Sequence, residues 1–197
     1  MIKSKLPQVI FKTRVREDLN TTSEFVWKDL DTEHYFANTK AILFSLPGAF
    51  TPICSTLQLP SFEQQYSNFQ SFGINRIYCV SVNDSFVMNS WFESLKIKNI
   101  SAIPDGSGEF TRKMGMLVKK DNLGFGMRSW RYSAFIDNCE VVKIFVEEGK
   151  NNESEDDDPF KVSDVWRNAF IGDWLRAILH DGFATITLML FFTAIVY

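Results

Sequence analysis

A cysteine, a threonine and a proline lie close together where a predicted strand gives way to a predicted helix. The segment PGAFTPICS covers residues 47–55 and follows the apolar run KAILFSL. Thr51 suits the N-cap of this helix, and Pro52 suits its first turn, where a proline loses no hydrogen bond by lacking an N–H. Cys54 then falls in the first turn, where free N–H groups and the positive end of the helix dipole stabilise a thiolate. Because the thiolate is the nucleophilic form of cysteine, this spacing suits a reactive thiol.

Position alone leaves a second interpretation of Cys54 open, namely a buried structural cysteine on the inner face of the helix. Cys79 lies inside the apolar run IYCVSV, where core packing is expected, and Cys139 lies at the turn of a predicted hairpin, where exposure is expected. The chain has no CxxC motif and no apolar run after its N-terminal lysines. We therefore expect reduced thiols, no secretory signal and a cytoplasmic location.

The composition argues against several functional classes. The chain has 197 residues, of which 45% are hydrophobic, so one domain with a sizeable core is expected. Its net charge of −3 argues against a nucleic-acid partner, which would call for a concentrated basic patch. The two histidines, His34 and His180, are too few for a clustered Cys/His metal site. No bound cofactor is predicted.

Strand-like and helix-like patterns alternate along the chain. Residues 40–46 and 74–82 are apolar runs typical of buried strands, and the apolar spacing between them, over about 51–72, indicates a helix. A second helix is predicted after the N-cap candidates Asn83 and Asp84. The segment RYSAFIDNCEVVKIFV predicts a hairpin that turns at Asn-Cys. This order indicates an α/β domain with a mixed central sheet flanked by helices.

Five segments, in matching order, resemble the type-five subfamily of the peroxiredoxins. They are LPGAFTPICSTLQLPSFEQQY, YCVSVNDSFVMNSW, IPDGSGEFTRKMGMLV, DNLGFGMRSWRYS and DPFKVSD. The bacterial members that are linked or fused to a glutaredoxin are the most similar, and the resemblance spans roughly residues 3–164. It implies a thioredoxin-like α/β fold and thiol-dependent reduction of hydrogen peroxide and alkyl hydroperoxides.

The resemblance also implies a role for each residue of the signature Pro-x-x-x-Thr-x-x-Cys. Cys54 would attack the peroxide and become a sulfenic acid. Thr51 would hold the peroxide oxygens, and Pro47 would shield the thiolate from bulk water. Arg131 aligns with the family's active-site arginine, which stabilises the thiolate and donates hydrogen bonds of fixed direction. Three aromatic residues are predicted to line the approach to the thiol: Phe50, Phe125 and Trp130.

The reductant and the assembly follow from the same resemblance. Some type-five relatives carry a resolving cysteine near the C-terminus, whereas this chain has none after Cys139. We therefore predict a one-cysteine cycle in which glutathione attacks the sulfenate and a separate glutaredoxin clears the mixed disulfide, with thioredoxin as the alternative donor. A homodimer is implied as well. Gln58 stands where close relatives often have histidine, and the core catalytic set is not expected to need the imidazole of that histidine.

The predicted peroxiredoxin domain covers residues 1–164, and an atypical hydrophobic segment covers 165–197. Within the first range, the acidic stretch 147–159 predicts a solvated loop. A docking or interfacial amphipathic helix is indicated by aromatic and aliphatic residues at every fourth position, namely Trp166, Phe170, Trp174 and Ile178. The uncharged run 183–197 leaves three alternatives open: a short membrane anchor, a segment that packs on the domain or a partner, and an out-of-frame or truncated end.

Two other functions remain as alternatives to a peroxidase. The first is a redox-sensing interaction protein that uses oxidation of Cys54 as a signal. The second is a catalytically decayed copy, against which the intact signature argues. Turnover with a thiol donor separates the enzyme from the sensor, because a sensor would be oxidised once and then await a specific partner.

Overall fold

The computed structural model of the protein describes residues 4–16, 24–147 and 150. All of them belong to one compact unit. The predictions for 165–197, including the amphipathic helix and the uncharged run, lie outside the described residues, as does most of the acidic stretch 147–159. The domain boundary at 164 therefore stays a prediction.

Ten strands and five α-helices occupy the described residues. In chain order they are β1 (Ser4–Lys5), β2 (Ile10–Arg16), β3 (Phe25–Asp31), α1 (Thr32–Phe36), β4 (Lys40–Ser45), α2 (Leu59–Gln64), α3 (Tyr66–Ser71), β5 (Arg76–Ser81), α4 (Ser85–Ser94), β6 (Ser101–Pro104), α5 (Glu109–Lys113), β7 (Leu117–Lys119), β8 (Met127–Ser129), β9 (Tyr132–Asp137) and β10 (Glu140–Val146). A π-helical turn, Cys54–Gln58, leads directly into α2, and a short 3₁₀ turn covers Asp121–Leu123.

A six-stranded mixed sheet forms the centre of the fold, in the order β1-β10-β9-β4-β5-β6. Strands β4, β5 and β6 are parallel, and helices cross between them, as parallel pairing requires. Strands β9, β10 and β1 complete the sheet in antiparallel pairing. The prediction of a mixed-sheet α/β domain is confirmed. Two small antiparallel pairs, β2 with β3 and β7 with β8, stand beside it and were not predicted from the sequence.

Local sequence signals account for several of these elements. Asp84 caps α4, since its Oδ1 accepts a hydrogen bond of 2.9 Å from the backbone N–H of Val87. The predicted hairpin is present, with Asn138 and Cys139 at positive φ values of 49° and 64°, as a two-residue type I′ turn requires. The predicted helix over 51–72 is interrupted at Gln65, where α2 ends and α3 follows.

The helix that follows β4 packs on the sheet through stacked rings. The rings of Phe44 in β4 and Phe62 in α2 lie 3.8 Å apart between centroids, and both side chains are fully buried. Burial of this kind stabilises each large apolar side chain by about 2 kcal/mol. The segment between them, from the end of β4 to the start of α2, is thereby held against the sheet at both ends.

Candidate active site

Cys54 lies at the N-terminal end of the helix that follows β4. The helix begins at Pro52, and the backbone N–H of Ser55 donates to the carbonyl of Thr51 over 3.0 Å, which makes Thr51 the residue that precedes the first turn. The predicted position of Cys54 in the first turn is therefore confirmed. Its side chain is only 1% exposed. The site thus combines free N–H groups at a helix start with exclusion of bulk water.

The side chain of Thr51 makes a different contact from the one that an N-cap makes. Its hydroxyl donates to the carbonyl oxygen of Gly48 over 2.9 Å, within the loop that connects β4 to the helix. This bond closes the loop and leaves the lone pairs of Oγ1 as acceptors. Pro47, in the same loop, is buried.

Strand pairing brings Arg131 to Cys54 across 77 positions of sequence. Ser45, the last residue of β4, pairs with Tyr132, the first residue of β9, so the residue before β9 lies beside the loop after β4. The Nη1 atom of Arg131 lies 3.8 Å from the Sγ atom of Cys54, and its side chain is 2% exposed. A buried guanidinium at this distance favours the thiolate and offers it a directed N–H.

Two further side chains hold this arginine. The Nε atom of Arg131 donates to Oε2 of Glu147 over 3.1 Å, and its Nη1 atom donates to Oε1 of Gln58. Gln58 is fixed in turn because its Nε2 donates to the carbonyl of Ser45 over 3.3 Å. Gln58 is therefore a direct partner of Arg131, a contact that the sequence does not indicate.

The environment predicted for Glu147 is wrong. As the first residue of the acidic stretch it was predicted to be solvated, whereas its side chain is only 7% exposed and pairs with Arg131. The backbone N–H of Glu147 donates to the carbonyl of Arg131 over 3.1 Å, continuing the ladder of β9 and β10. The composition of a segment does not reveal such an end-of-strand contact.

Asn83 is a second residue whose contribution the sequence does not indicate. Its Oδ1 accepts from the backbone N–H of Ala49 over 3.0 Å and from the hydroxyl of Ser81 over 2.7 Å. It therefore ties the loop that contains Pro47 to the end of β5. The sequence suggested only a helix cap here, and Asp84 fills that role.

The three aromatic residues predicted to line the approach to the thiol lie in different environments. Phe50 is 56% exposed with a φ of 61°, and Phe125 is half-buried, so both remain candidates for contact with a substrate. Trp130 belongs to the hydrophobic core, where its Nε1 donates to the carbonyl of Glu147 over 2.8 Å. Trp130 supports the partner of Arg131 and does not line an approach.

Comparison with known proteins decides the family. A family model described as Redoxin matches residues 20–168. A peroxiredoxin of Rhizobium etli is 56% identical over 163 residues, which cover 82% of this chain and 90% of that protein. The chain belongs to the peroxiredoxin family. A hybrid peroxiredoxin of Haemophilus influenzae is 51% identical over 161 residues, which cover 82% of this chain and 61% of that longer protein.

A solved structure agrees with this peroxiredoxin in fold as well as in sequence. The Plasmodium falciparum antioxidant protein, a 1-Cys peroxiredoxin, superposes with a TM-score of 0.73 at 38% identity, over 83% of this chain and 96% of that chain. The predicted thioredoxin-like fold is confirmed. As a member of this family the protein is a thiol peroxidase, which takes a peroxide substrate and needs a thiol reductant.

The thiols of the other two cysteines of this peroxiredoxin are poorly suited to redox chemistry with Cys54. Cys79 is fully buried in β5, and this burial raises the pKa of its thiol well above the ordinary value. Burial, followed by the charges of Glu33 and Asp31, raises the pKa of Cys139. Both groups are therefore protonated at neutral pH, and a protonated thiol is a weak nucleophile.

Distance also separates Cys139 from Cys54. Asp137 pairs with Lys40, the first residue of β4, so the turn that contains Cys139 lies at that end of the strand. Cys54 lies at the opposite end, in the helix that follows the loop after Ser45. Six residues of strand span about 16 Å. A disulfide needs Cα atoms within about 7 Å of each other, so these two cysteines cannot pair within one folded chain.

Residues 4–16 and 24–147 contain no group of three metal-ligating side chains close enough to hold an ion. Of the helices in this part of the chain, none is long and apolar enough to cross a membrane.

Proposed function

We propose that this peroxiredoxin reduces hydrogen peroxide and alkyl hydroperoxides with Cys54 as its nucleophile, and that glutathione and a glutaredoxin regenerate the thiol. The observation that carries the proposal is the 3.8 Å contact between Arg131 Nη1 and Cys54 Sγ in a buried site at a helix start. Burial raises the pKa of the thiols of Cys79 and Cys139, which makes both weaker nucleophiles at neutral pH.

The oxidation step uses the groups around Cys54 in distinct ways. The thiolate attacks one oxygen of the peroxide, the O–O bond breaks, and the sulfur loses two electrons to become a sulfenic acid. The leaving oxygen takes up a proton and departs as water or an alcohol. Arg131 and the N–H groups of the first turn stabilise the charge that develops on that oxygen.

Thr51 and Pro47 set the direction of the attack. The hydroxyl hydrogen of Thr51 is engaged by Gly48, so its oxygen accepts a hydrogen bond from the O–H of the peroxide. Buried Pro47 keeps water away from the thiolate, which strengthens these interactions. Together they hold the O–O bond in line with the sulfur.

A one-cysteine cycle is supported by the placement of the other thiols. Cys139 lies at the far end of β4, and Cys79 is fully buried in β5, where burial, followed by the charge of Cys54, raises the pKa of its thiol. Neither thiol is therefore suited to attack the sulfenic acid. Glutathione condenses with it to give a mixed disulfide and water. A glutaredoxin thiolate then attacks the glutathione sulfur and releases Cys54 as a thiolate.

The test is steady-state consumption of hydrogen peroxide by the full chain with glutathione and a glutaredoxin, compared with thioredoxin and its reductase. We expect turnover with the first system and, when the donor is glutathione alone, one glutathionyl group on Cys54 by mass spectrometry. Cys139→Ser should turn over as fast as the wild type. Oxidation of Cys54 without turnover in either system would contradict the proposal and favour a redox-sensing protein.

We also propose that the protein forms a homodimer through the side of the active site that carries two exposed apolar residues. Phe50 lies in the loop before the helix, and Leu57, 49% exposed, lies one turn after Cys54. Exposed apolar side chains beside a buried site are suited to a protein interface.

Substitution of Leu57 by glutamate should convert a dimer into a monomer, because an interface centre excludes an unpaired charge. Sedimentation velocity or light scattering gives the mass. Trp27→Glu is the matched control, since Trp27 is 58% exposed on β3 and should leave the mass unchanged. A wild-type chain that is monomeric at micromolar concentration would refute the dimer.

Cytoplasmic location and contact of residues 183–197 with a membrane remain expectations from the sequence.

A further inference from the structure

Gln58 and Glu147 hold Arg131 from two sides, and we call these two residues the arginine clamp. Each partner occupies a different nitrogen, since Glu147 accepts from Nε and Gln58 accepts from Nη1. The same Nη1 atom lies 3.8 Å from Cys54 Sγ. A guanidinium is planar, so two fixed nitrogens define where its remaining N–H groups point.

Glu147 is itself fixed by the backbone around Arg131. Its N–H donates to the carbonyl of Arg131 over 3.1 Å, and its carbonyl accepts from Nε1 of Trp130 over 2.8 Å. With the carboxylate–Nε bond, three hydrogen bonds join Glu147 to two consecutive residues. The carboxylate therefore has little freedom to follow the guanidinium if the latter moves.

The clamp also changes the charge that Cys54 experiences. Glu147 and Arg131 form an ion pair whose side chains are 7% and 2% exposed, so water screens neither charge strongly. The carboxylate offsets part of the positive charge that would otherwise stabilise the thiolate. The carboxylate does not weaken the other contribution of Arg131, which is the direction in which its N–H groups point.

We propose that Glu147 is a positioning residue for peroxide reduction, which fixes the N–H groups of Arg131 toward the reacting oxygens at a cost in thiolate stabilisation. The proposal rests on the proposed function only in taking Cys54 as the nucleophile. It concerns the oxidation of Cys54 alone and is independent of the donor that reduces it afterwards.

The test uses the full-length reduced protein, without any donor, in two single-turnover reactions. Stopped-flow fluorescence follows oxidation by hydrogen peroxide, and alkylation by iodoacetamide at pH 6 measures the reactivity of the thiolate. Iodoacetamide has no O–O bond to align, so a positioning effect alters the first rate and spares the second. If turnover with the donor failed, the proposed glutathione cycle would be overturned. The rates of oxidation and alkylation would still test the role of Glu147, because neither reaction contains a donor.

Glu147→Ala should slow oxidation by about 10- to 100-fold, because the guanidinium loses the acceptor that orients it. Alkylation should not slow down. Glu147→Gln keeps an acceptor oxygen and removes the charge, so it should retain oxidation within about threefold and alkylate faster than the wild type at pH 6. Glu109→Gln is the matched control, an exposed glutamate paired with Lys113, and should change neither rate.

A double variant separates positioning from stability. In an Arg131→Ala background, Glu147→Ala should cause no further loss of oxidation. It should accelerate alkylation, since it removes the buried carboxylate that the loss of Arg131 leaves unpaired near the site. An additional 10-fold loss in the double variant would overturn the proposal. Oxidation of Glu147→Ala at the wild-type rate would overturn the proposal too, and so would an unchanged alkylation rate in Glu147→Gln. The measurement on Glu147→Gln decides the matter even if the alanine variant does not fold.

Discussion

Replacement of Cys54 by serine is expected to reduce peroxide consumption to the rate of the buffer blank. Serine has nearly the same size, so the site that encloses the 1% exposed side chain should keep its packing. A serine hydroxyl is not ionised at neutral pH and does not attack an O–O bond, so no sulfenic acid forms. Loss of a nucleophile of this kind costs orders of magnitude that the rest of the site cannot recover.

The measurement is hydrogen peroxide consumption with the donor that supports the wild type, next to two cysteine controls. Cys79→Ala and Cys139→Ser should stay within about twofold of the wild type, because a raised pKa keeps both native thiols protonated at neutral pH. If Cys54→Ser still consumed peroxide at more than a hundredth of the wild-type rate, another group would have to be the nucleophile.

Replacement of Arg131 by lysine is expected to slow the oxidation of Cys54 by about 100-fold, even though the positive charge is kept. The guanidinium donates to Glu147 through Nε, and its Nη1 donates to Gln58 and lies beside the thiol of Cys54. A single ammonium group cannot reproduce these contacts in the same directions. Loss of one directed donor at a developing oxyanion costs roughly 10²- to 10³-fold in rate.

Stopped-flow oxidation by hydrogen peroxide measures this effect, and Arg128→Lys serves as the matched control. Arg128 lies three positions away and donates to the backbone carbonyls of Phe125 and Val82, so it supports the neighbouring hairpin. Its replacement should change the rate by less than about fivefold. An Arg131→Lys variant within threefold of the wild type would mean that charge alone suffices and that the directed contacts are irrelevant.

The features that depend on neighbouring residues could be predicted from the sequence. The apolar run of β4, the proline in the first helical turn and the spacing to Cys54 are all short-range signals, and the structure places each element as expected. The same holds for the hairpin at Asn138 and Cys139, whose positive φ values suit a two-residue turn. Short-range signals are reliable here because capping and turn chemistry involve residues only a few positions apart.

The partners of Arg131 could not be predicted, because they depend on pairing register. Val141 pairs with Ile136, whereas Lys143 pairs with Phe135, so one extra residue bulges from β10 between them. An unbulged hairpin would place Val146 opposite Arg131, and the bulge places Glu147 there, as the 3.1 Å backbone bond shows.

The sequence by itself determined the fold class, the helix start and a cysteine suited to be a nucleophile. Only the tertiary structure decided how the groups around that cysteine are held in place. The register of β4 with β9 brings Arg131 to Cys54, and Gln58 and Glu147 reach the arginine from two other elements. The physical reason is that a bulge of one residue reverses which side chains face a site, and no local pattern in the sequence reports it.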